Sequence, residues 1–239
     1  MRTFSWVLLL LCPFAFAHAE NVRLIYFELP PLAREEQGKA GGPAVDLLRV
    51  LTAGLPVSGE PVRMPVKRLE HTLETEQAIA VGLGRIERRD AMRLVWIAEL
   101  FRGNYYFVTL RGHPPIRDPE EARTVKRIAC NLGSTPAEIL KNLDVTNIDY
   151  AADLRQEAAK LHEGRVDGWF DRGLFIDVTW RSLGYDAGDL IWSAPVPGPS
   201  LWVVASPKVS PAIIQTMRAR FDDLKAQGKL DRIFTDASW

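Results

Sequence analysis

The sequence predicts an α/β protein built on mostly parallel sheets, and three observations carry that reading. Short β-rich runs alternate with helical patterns along the chain. Proline- and glycine-rich punctuation brackets a middle segment. The composition is that of a packed globular chain, with 47% hydrophobic and 25% charged residues over 239 positions. Alternating strand and helix favours parallel pairing, and a chain of this length can bury one large core or two separate ones.

The elements follow in order. Val22–Phe27 ("VRLIYF") reads as a strand. Pro43–Leu55 reads as a helix, with Val45, Leu48 and Leu51 on one face and Gly54 at its end. Val62–Val66 is a strand, Lys67–Thr75 a short helix, and Gln77–Leu83 and Tyr105–Leu110 are strands. The order then repeats: strand Val125–Cys130, helix Thr135–Lys141, helix Leu154–Glu163 and strand Val166–Phe170. Leu201–Ala205 is the last strand. Pro211–Ala226 is an amphipathic helix with Ile214, Met217, Phe221 and Leu224 on one stripe, and beyond Gly228 a short helix is expected towards Trp239. The punctuation falls at Arg111–Pro115 ("RGHPP") and Ser193–Ser200 ("SAPVPGPS"). It predicts a compact middle lobe at 110–195 and a discontinuous lobe from 20–109 and 196–239.

The first residues, "MRTFSWVLLLLCPFAFAHAEN", have the three parts of a secretory signal. Arg2 precedes an apolar stretch, and Ala17-His18-Ala19 precedes the expected cleavage point. Residues 1–19 are therefore read as a cleaved signal peptide and the mature chain as a periplasmic protein. Cys12 invites a lipoprotein reading, but Leu11 stands where a lipobox needs a small residue. With the signal gone Cys130 is the lone cysteine, which cannot form an internal disulfide and reads as a small buried hydrophobe.

Charge narrows the partners. Lys plus Arg number 30 and Asp plus Glu 30, which points away from nucleic acid and anionic membrane and towards a small solute. His18, His71, His113 and His162 are scattered without metal-ligand spacing, and no nucleotide-binding or nucleophile motif appears. No cofactor or metal is expected.

Five motifs, in order, resemble the periplasmic solute-binding proteins of the polar-amino-acid type (family 3). They are "LPPL" with "GKAGGPAVDLLRVL" (Leu29–Leu51), "MPVKR" (Met64–Arg68), "GRIERRDAMRLVW" (Gly84–Trp96), "LHEGRVDGWFD" (Leu161–Asp171) and "MRARFDDLKAQGKLDRIF". The resemblance spans essentially the whole mature chain. It implies the two-lobe periplasmic-binding-protein-like fold (type II), each lobe a mostly parallel sheet flanked by helices, with two crossover hinge strands. It further implies a monomer that serves a membrane permease of the ABC type or a sensor.

The residues that would hold a solute follow from position and from this resemblance. The loop "GRIERRD" leaves the carboxyl end of a strand, where open α/β sheets bind ligands. An arginine there suits a carboxylate, because its planar fork makes two parallel charge-assisted bonds. The resemblance puts the carboxylate-binding arginine at Arg89, with Arg88 as the neighbour a loop shift would exchange for it. Gly84 offers backbone groups. Ile86 stands where a threonine is expected. Across the cleft, "GSTPAE" opens a helix: Thr135 reads as the N-cap of a capping box with Pro136 at N1 and Glu138 at N3, and Ser134 and Thr135 face the same anion. The acid for a ligand ammonium is Asp171, one residue nearer Asp167 than the family spacing, while Asp167 itself reads as structural. Leu29 replaces the expected aromatic, so Tyr26 and Glu28 are the candidates for the side-chain platform. Trp96, Tyr105, Trp169 and Trp192 are further stacking candidates or core. Arg68 and Glu70 read as a surface pair. Two other readings stay open: an enzyme on the same fold, dehydratase-like, with Glu28 or Asp171 as general acid/base, and a protein-interaction module that has lost its solute.

Overall fold

The computed structural model describes residues 22–230; the expected signal peptide and most of the expected final short helix lie outside the described residues. The strands are β1 (Val22–Tyr26), β2 (Arg34–Glu36), β3 (Lys39–Gly41), β4 (Val57–Arg63), β5 (Ala78–Gly84), β6 (Val95–Phe101), β7 (Tyr105–Leu110), β8 (Ile128–Asn131), β9 (Ile148–Ala151), β10 (Gly168–Arg172), β11 (Leu190–Trp192) and β12 (Leu201–Ala205). The helices are α1 (Pro43–Thr52), α2 (Val66–Thr75), α3 (Glu87–Asp90), α4 (Pro119–Thr124), α5 (Thr135–Asn142), α6 (Leu154–His162), α7 (Gly173–Ser182) and α8 (Pro211–Ala226). No helix among the described residues is long and apolar enough to cross a membrane.

The strands form two five-stranded sheets, β4-β1-β5-β12-β6 and β11-β7-β10-β8-β9, with β2 and β3 as a separate hairpin. In the first sheet β4, β1 and β5 run parallel and β12 runs antiparallel to β5 and β6. In the second, β10, β8 and β9 are parallel and β7 is antiparallel to β10 and β11. The chain crosses between the sheets twice, between β6 and β7 and between β11 and β12. The second crossing coincides with the "SAPVPGPS" punctuation. The first is Arg102–Asn104, ahead of "RGHPP", so Tyr105–Leu110 pairs in the second sheet although the expected boundary set all but Leu110 of it with the first lobe.

Burial explains the order. Every residue of β5 is buried, as a strand covered on both faces requires. Ile79 and Val81 pack with α1 and α8, while Ala78 and Ala80 pack with α2. At the end of β5 the register against β12 slips between Val81 and Leu83, leaving Gly82 as the extra residue with φ 96°. A Cβ at Gly82 would lie 2.8 Å from Leu29 Cδ1, so only glycine makes this bulge. The bulge re-aims Leu83 and Gly84. α8 buries Ile213, Ile214, Met217 and Phe221.

Strand β4 starts at Val57, five residues ahead of the expected strand at Val62. β10 extends through Arg172, which sets Asp171 inside the strand rather than after it. β6, β9, β11, α4 and α7 were not anticipated.

Candidate functional site

The loop after β5 sorts its arginines by burial. Arg85 points outward, pairing with Asp90 at 3.0 Å and lying 5.6 Å over the Trp96 ring. Arg88 is half-buried. Arg89 is 1% exposed, carried inward by the single turn of α3, whose amides at Arg89 and Asp90 donate to the Ile86 carbonyl. Ile86 thus contributes backbone where a hydroxyl was expected.

Arg89 is bonded to both halves of the molecule. From the first half, Gly84 O accepts from Nη1 at 2.8 Å and Glu70 Oε1 from Nε at 2.9 Å. From the second, Thr135 Oγ1 accepts from Nη1 at 2.9 Å and Gly133 O from Nη2 at 3.5 Å. Arg88 repeats the pattern: Nη1 donates to Glu70 Oε2 at 2.7 Å, Nε to Glu138 Oε1 at 3.1 Å and Nη2 to Gly133 O at 3.2 Å. The contact between halves is tight. A Cβ on Gly84 would sit 2.6 Å from Thr135 Oγ1, and one on Gly133 2.4 Å from Lys67 Cε.

Glu70 is the residue that sequence reasoning misplaced. It is not a surface partner of Arg68 but 5% exposed and shared by two guanidiniums. Burial works to raise its pKa, but the Arg88 hydrogen bond and the Arg89 charge outweigh it and hold the carboxyl below its ordinary value. Burial lowers the Arg89 pKa, opposed by the charge of Glu70. The signal was available: Val66, Leu69 and Leu73 mark the buried face of α2, and Glu70, four residues after Val66, shares that face.

The opening of α5 differs in detail from expectation. Ser134, not Thr135, is the N-cap, its hydroxyl accepting from Ala137 N at 3.3 Å and donating to Asn131 O at 2.7 Å. The capping box is therefore absent, and Glu138 turns to Arg88 instead. Thr135, one position inside the helix, is free to present its hydroxyl to Arg89. Gly133, with φ 72°, makes the turn that delivers both.

The second cluster surrounds the crossings. Arg172, at the family spacing where an acid was expected, is 2% exposed and lies 4.4 Å over the Tyr105 ring. It donates to Gly103 O at 3.2 Å and to Pro199 O, so one guanidinium ties the two crossing segments together. Tyr105 is wholly buried, and a Cβ on Gly198 would lie 2.2 Å from its Cε2. Burial raises the Tyr105 pKa, while the charges of Arg172 and Arg89 act to lower it. Asp171 accepts from its neighbour's amide, Arg172 N, at 2.6 Å. Burial pushes its pKa up to about 7, against that bond and the Arg172 charge. Glu157 is fully buried with Trp169 Nε1 donating to Oε2 at 2.6 Å and Oε1 unpartnered, and burial followed by the Asp171 charge raises its pKa well above the ordinary value. Asp171 is thus a buried acid inside β10, bonded to its own neighbour's amide.

The remaining candidates lie elsewhere. Tyr26 is buried and its hydroxyl donates to Arg34 O at 3.4 Å. Glu28 pairs with Arg63 at 2.5 Å and lines a pocket of about 280 Å³ between the halves, with Asn131, Ala152 and Asp153 opposite. Asp167 accepts from Arg127 N at 2.8 Å, a strand-start role. Tyr105 and Trp169 are core, Trp96 stacks edge-on with Trp202, and Trp192 is 38% exposed against Tyr106. Cys130 is buried, and burial raises its thiol pKa.

Two sheets joined by two crossings, with the contacts between halves at the carboxyl ends of β5 and β8, decide the architecture. The fold is that of the periplasmic binding proteins. Among solved structures the chain is similar to an ancestral arginine-binding protein bound to arginine, with TM-score 0.79, 17% identity, and 93% of this chain and 100% of that one covered. It is similar to a histidine kinase sensor domain that resembles periplasmic binding proteins, with TM-score 0.77, 15% identity and 91% and 96% coverage. It is also similar to the GluR0 ligand-binding core from Nostoc punctiforme in complex with L-glutamate, with TM-score 0.76, 14% identity and 90% and 98% coverage. No protein-family model matches the sequence, and no curated protein matches it. At these identities the likeness establishes the fold.

Proposed function

We propose that this chain is an exported, monomeric solute-binding protein that captures a small carboxylate-bearing solute between two lobes. One lobe is the β4-β1-β5-β12-β6 sheet with its helices, the other the β11-β7-β10-β8-β9 sheet with its own. The observation that carries the proposal is Arg89, a buried guanidinium at the carboxyl end of β5 that bonds both halves at once. A solute carboxylate at this guanidinium makes contacts only the closed arrangement offers, and differential contacts of that kind are what shift a hinge equilibrium. The arginine and glutamate found in two structural neighbours support a solute of amino-acid size.

The closed form then presents a surface to an ABC permease or to a sensor, the latter supported by the likeness to a kinase sensor domain. The role is one of binding rather than catalysis. The test is a thermal-shift screen of the mature protein against the twenty amino acids, small peptides and organic acids. Stabilisation by one chemical group of these is expected, and a flat response to all of them overturns the reading.

A further inference from the structure

Arg88 and Arg89 hold one carboxylate between them, and it is the protein's own. Glu70 Oε1 lies 2.9 Å from Arg89 Nε and Oε2 lies 2.7 Å from Arg88 Nη1, so each oxygen of this one carboxylate meets its own guanidinium. Glu138 occupies Arg88 Nε at 3.1 Å. The two guanidiniums are thus already matched by two carboxylates. Lys67, one helical turn before Glu70, has its Nζ 3.8 Å from Oε2, and its side chain is 57% exposed.

We infer that Glu70 is a specificity-determining residue, a built-in competitor that a solute carboxylate must displace from Arg88 and Arg89. The inference rests on the solute-binding reading above. On capture the arginines exchange one carboxylate for another, and Glu70 turns to the ammonium of Lys67. Because like replaces like, ion pairing itself adds little net affinity. A solute that brings only a carboxylate is rejected, and one that adds further contacts from both lobes is retained. Selectivity is thereby built by raising the threshold against simple anions, a repulsive element rather than an attractive one. A surface salt bridge has no such effect, because its partners stay hydrated in either case.

The experiment is isothermal titration of acetate, succinate and L-glutamate into wild type, Glu70→Gln and Glu70→Gln/Arg88→Gln, with folding checked by circular dichroism. Glu70→Gln keeps the side-chain volume and removes the competing charge. It should bind succinate about tenfold tighter or more, the gain of roughly one freed charge-assisted bond, and the double variant should lose that gain. Where Glu70→Gln does not fold, Glu70→Asp takes its place: the shorter arm weakens both ion pairs and should produce a gain with the same Arg88 dependence. Equal affinity in wild type and variant overturns the inference while leaving solute binding intact if wild type binds. So does a gain that survives loss of Arg88. A gain in the variant, with wild type silent to every solute screened, overturns both readings, because Glu70 then blocks the site instead of yielding to a solute.

Discussion

Arg89 Nη1 donates to the Thr135 hydroxyl at 2.9 Å, although the residues stand 46 positions apart, on helices that follow strands of different sheets. The bond exists because two local devices meet. The Gly82 bulge and the turn of α3 bring the guanidinium inward. Ser134 takes over the capping of α5 and leaves Thr135 free. One side chain secures the helix and its neighbour reaches across the cleft.

Ser134→Ala and Thr135→Val therefore separate two roles that the sequence merges. Ser134→Ala loses the cap and should cost about 1 kcal/mol in urea unfolding. Thr135→Val keeps the cap and the side-chain shape but withdraws the acceptor from Arg89. It should weaken solute binding with a smaller loss of α5 stability. Equal behaviour of the two variants would contradict the assignment.

Arg172 gives the hinge its own test. Its guanidinium stacks on Tyr105 and donates to carbonyls of both crossing segments. Arg172→Ala should destabilise the protein by about 3 kcal/mol, the scale for breaking a buried charged network. Arg172→Lys should restore little of it, since an ammonium cannot stack flat while reaching both carbonyls. Chemical denaturation of the three proteins reads this directly.

Asp171 makes stability depend on pH in an unusual sense. Its folded pKa is about 7 against an ordinary value of 3.8, so between these the native state binds the extra proton. Unfolding free energy must then fall as pH rises through that window, by at most about 1.4 kcal/mol per pH unit for one proton. Glu157, also raised by burial and by the Asp171 charge, acts in the same direction. Glu70 acts oppositely and lower down: its folded pKa is depressed, so its contribution is present above its ordinary 4.5 and is lost as pH falls below it. Comparing urea midpoints at pH 5 and pH 7.5, Asp171→Asn should show a flatter dependence than wild type. An unchanged slope would contradict the buried-acid reading.

What the sequence made legible follows from where pattern and burial agree. Pro211–Ala226, Tyr105–Leu110 and Leu201–Ala205 match the structure at both ends, because apolar stripe or β-rich run and flanking proline or glycine coincide there. β6 was missed because only Ile97 and Ala98 of its seven residues are buried, so no period stands out. α7 was missed because it starts at Gly173 with no capping side chain and no acid in its first turn. At the site, Arg88, Arg89, Gly84 and Thr135, which the strand-end argument and the resemblance had named, lie together in the structure, while what they bind stays a proposal. Tyr26 and Glu28 gather instead around Arg34 and Arg63. Arg172 escaped because a buried charge is recognised by its partners, and Gly103, Tyr105 and Pro199 lie far away in sequence, whereas Glu70 was legible from the buried face of α2 and was misread as a surface charge.

The most direct test of the account uses Gly84. A methyl there would fall 2.6 Å from Thr135 Oγ1 and 2.8 Å from its Cγ2, a short branched side chain that cannot swing aside, so Gly84→Ala wedges the halves apart without altering a single charge. Native mass spectrometry of wild type and Gly84→Ala, purified from the same cells without denaturation, measures retained solute. Wild type should carry a small-molecule adduct that the variant lacks, with both folded. The same adduct at the same occupancy in both proteins would contradict capture at the Arg89–Thr135 closure.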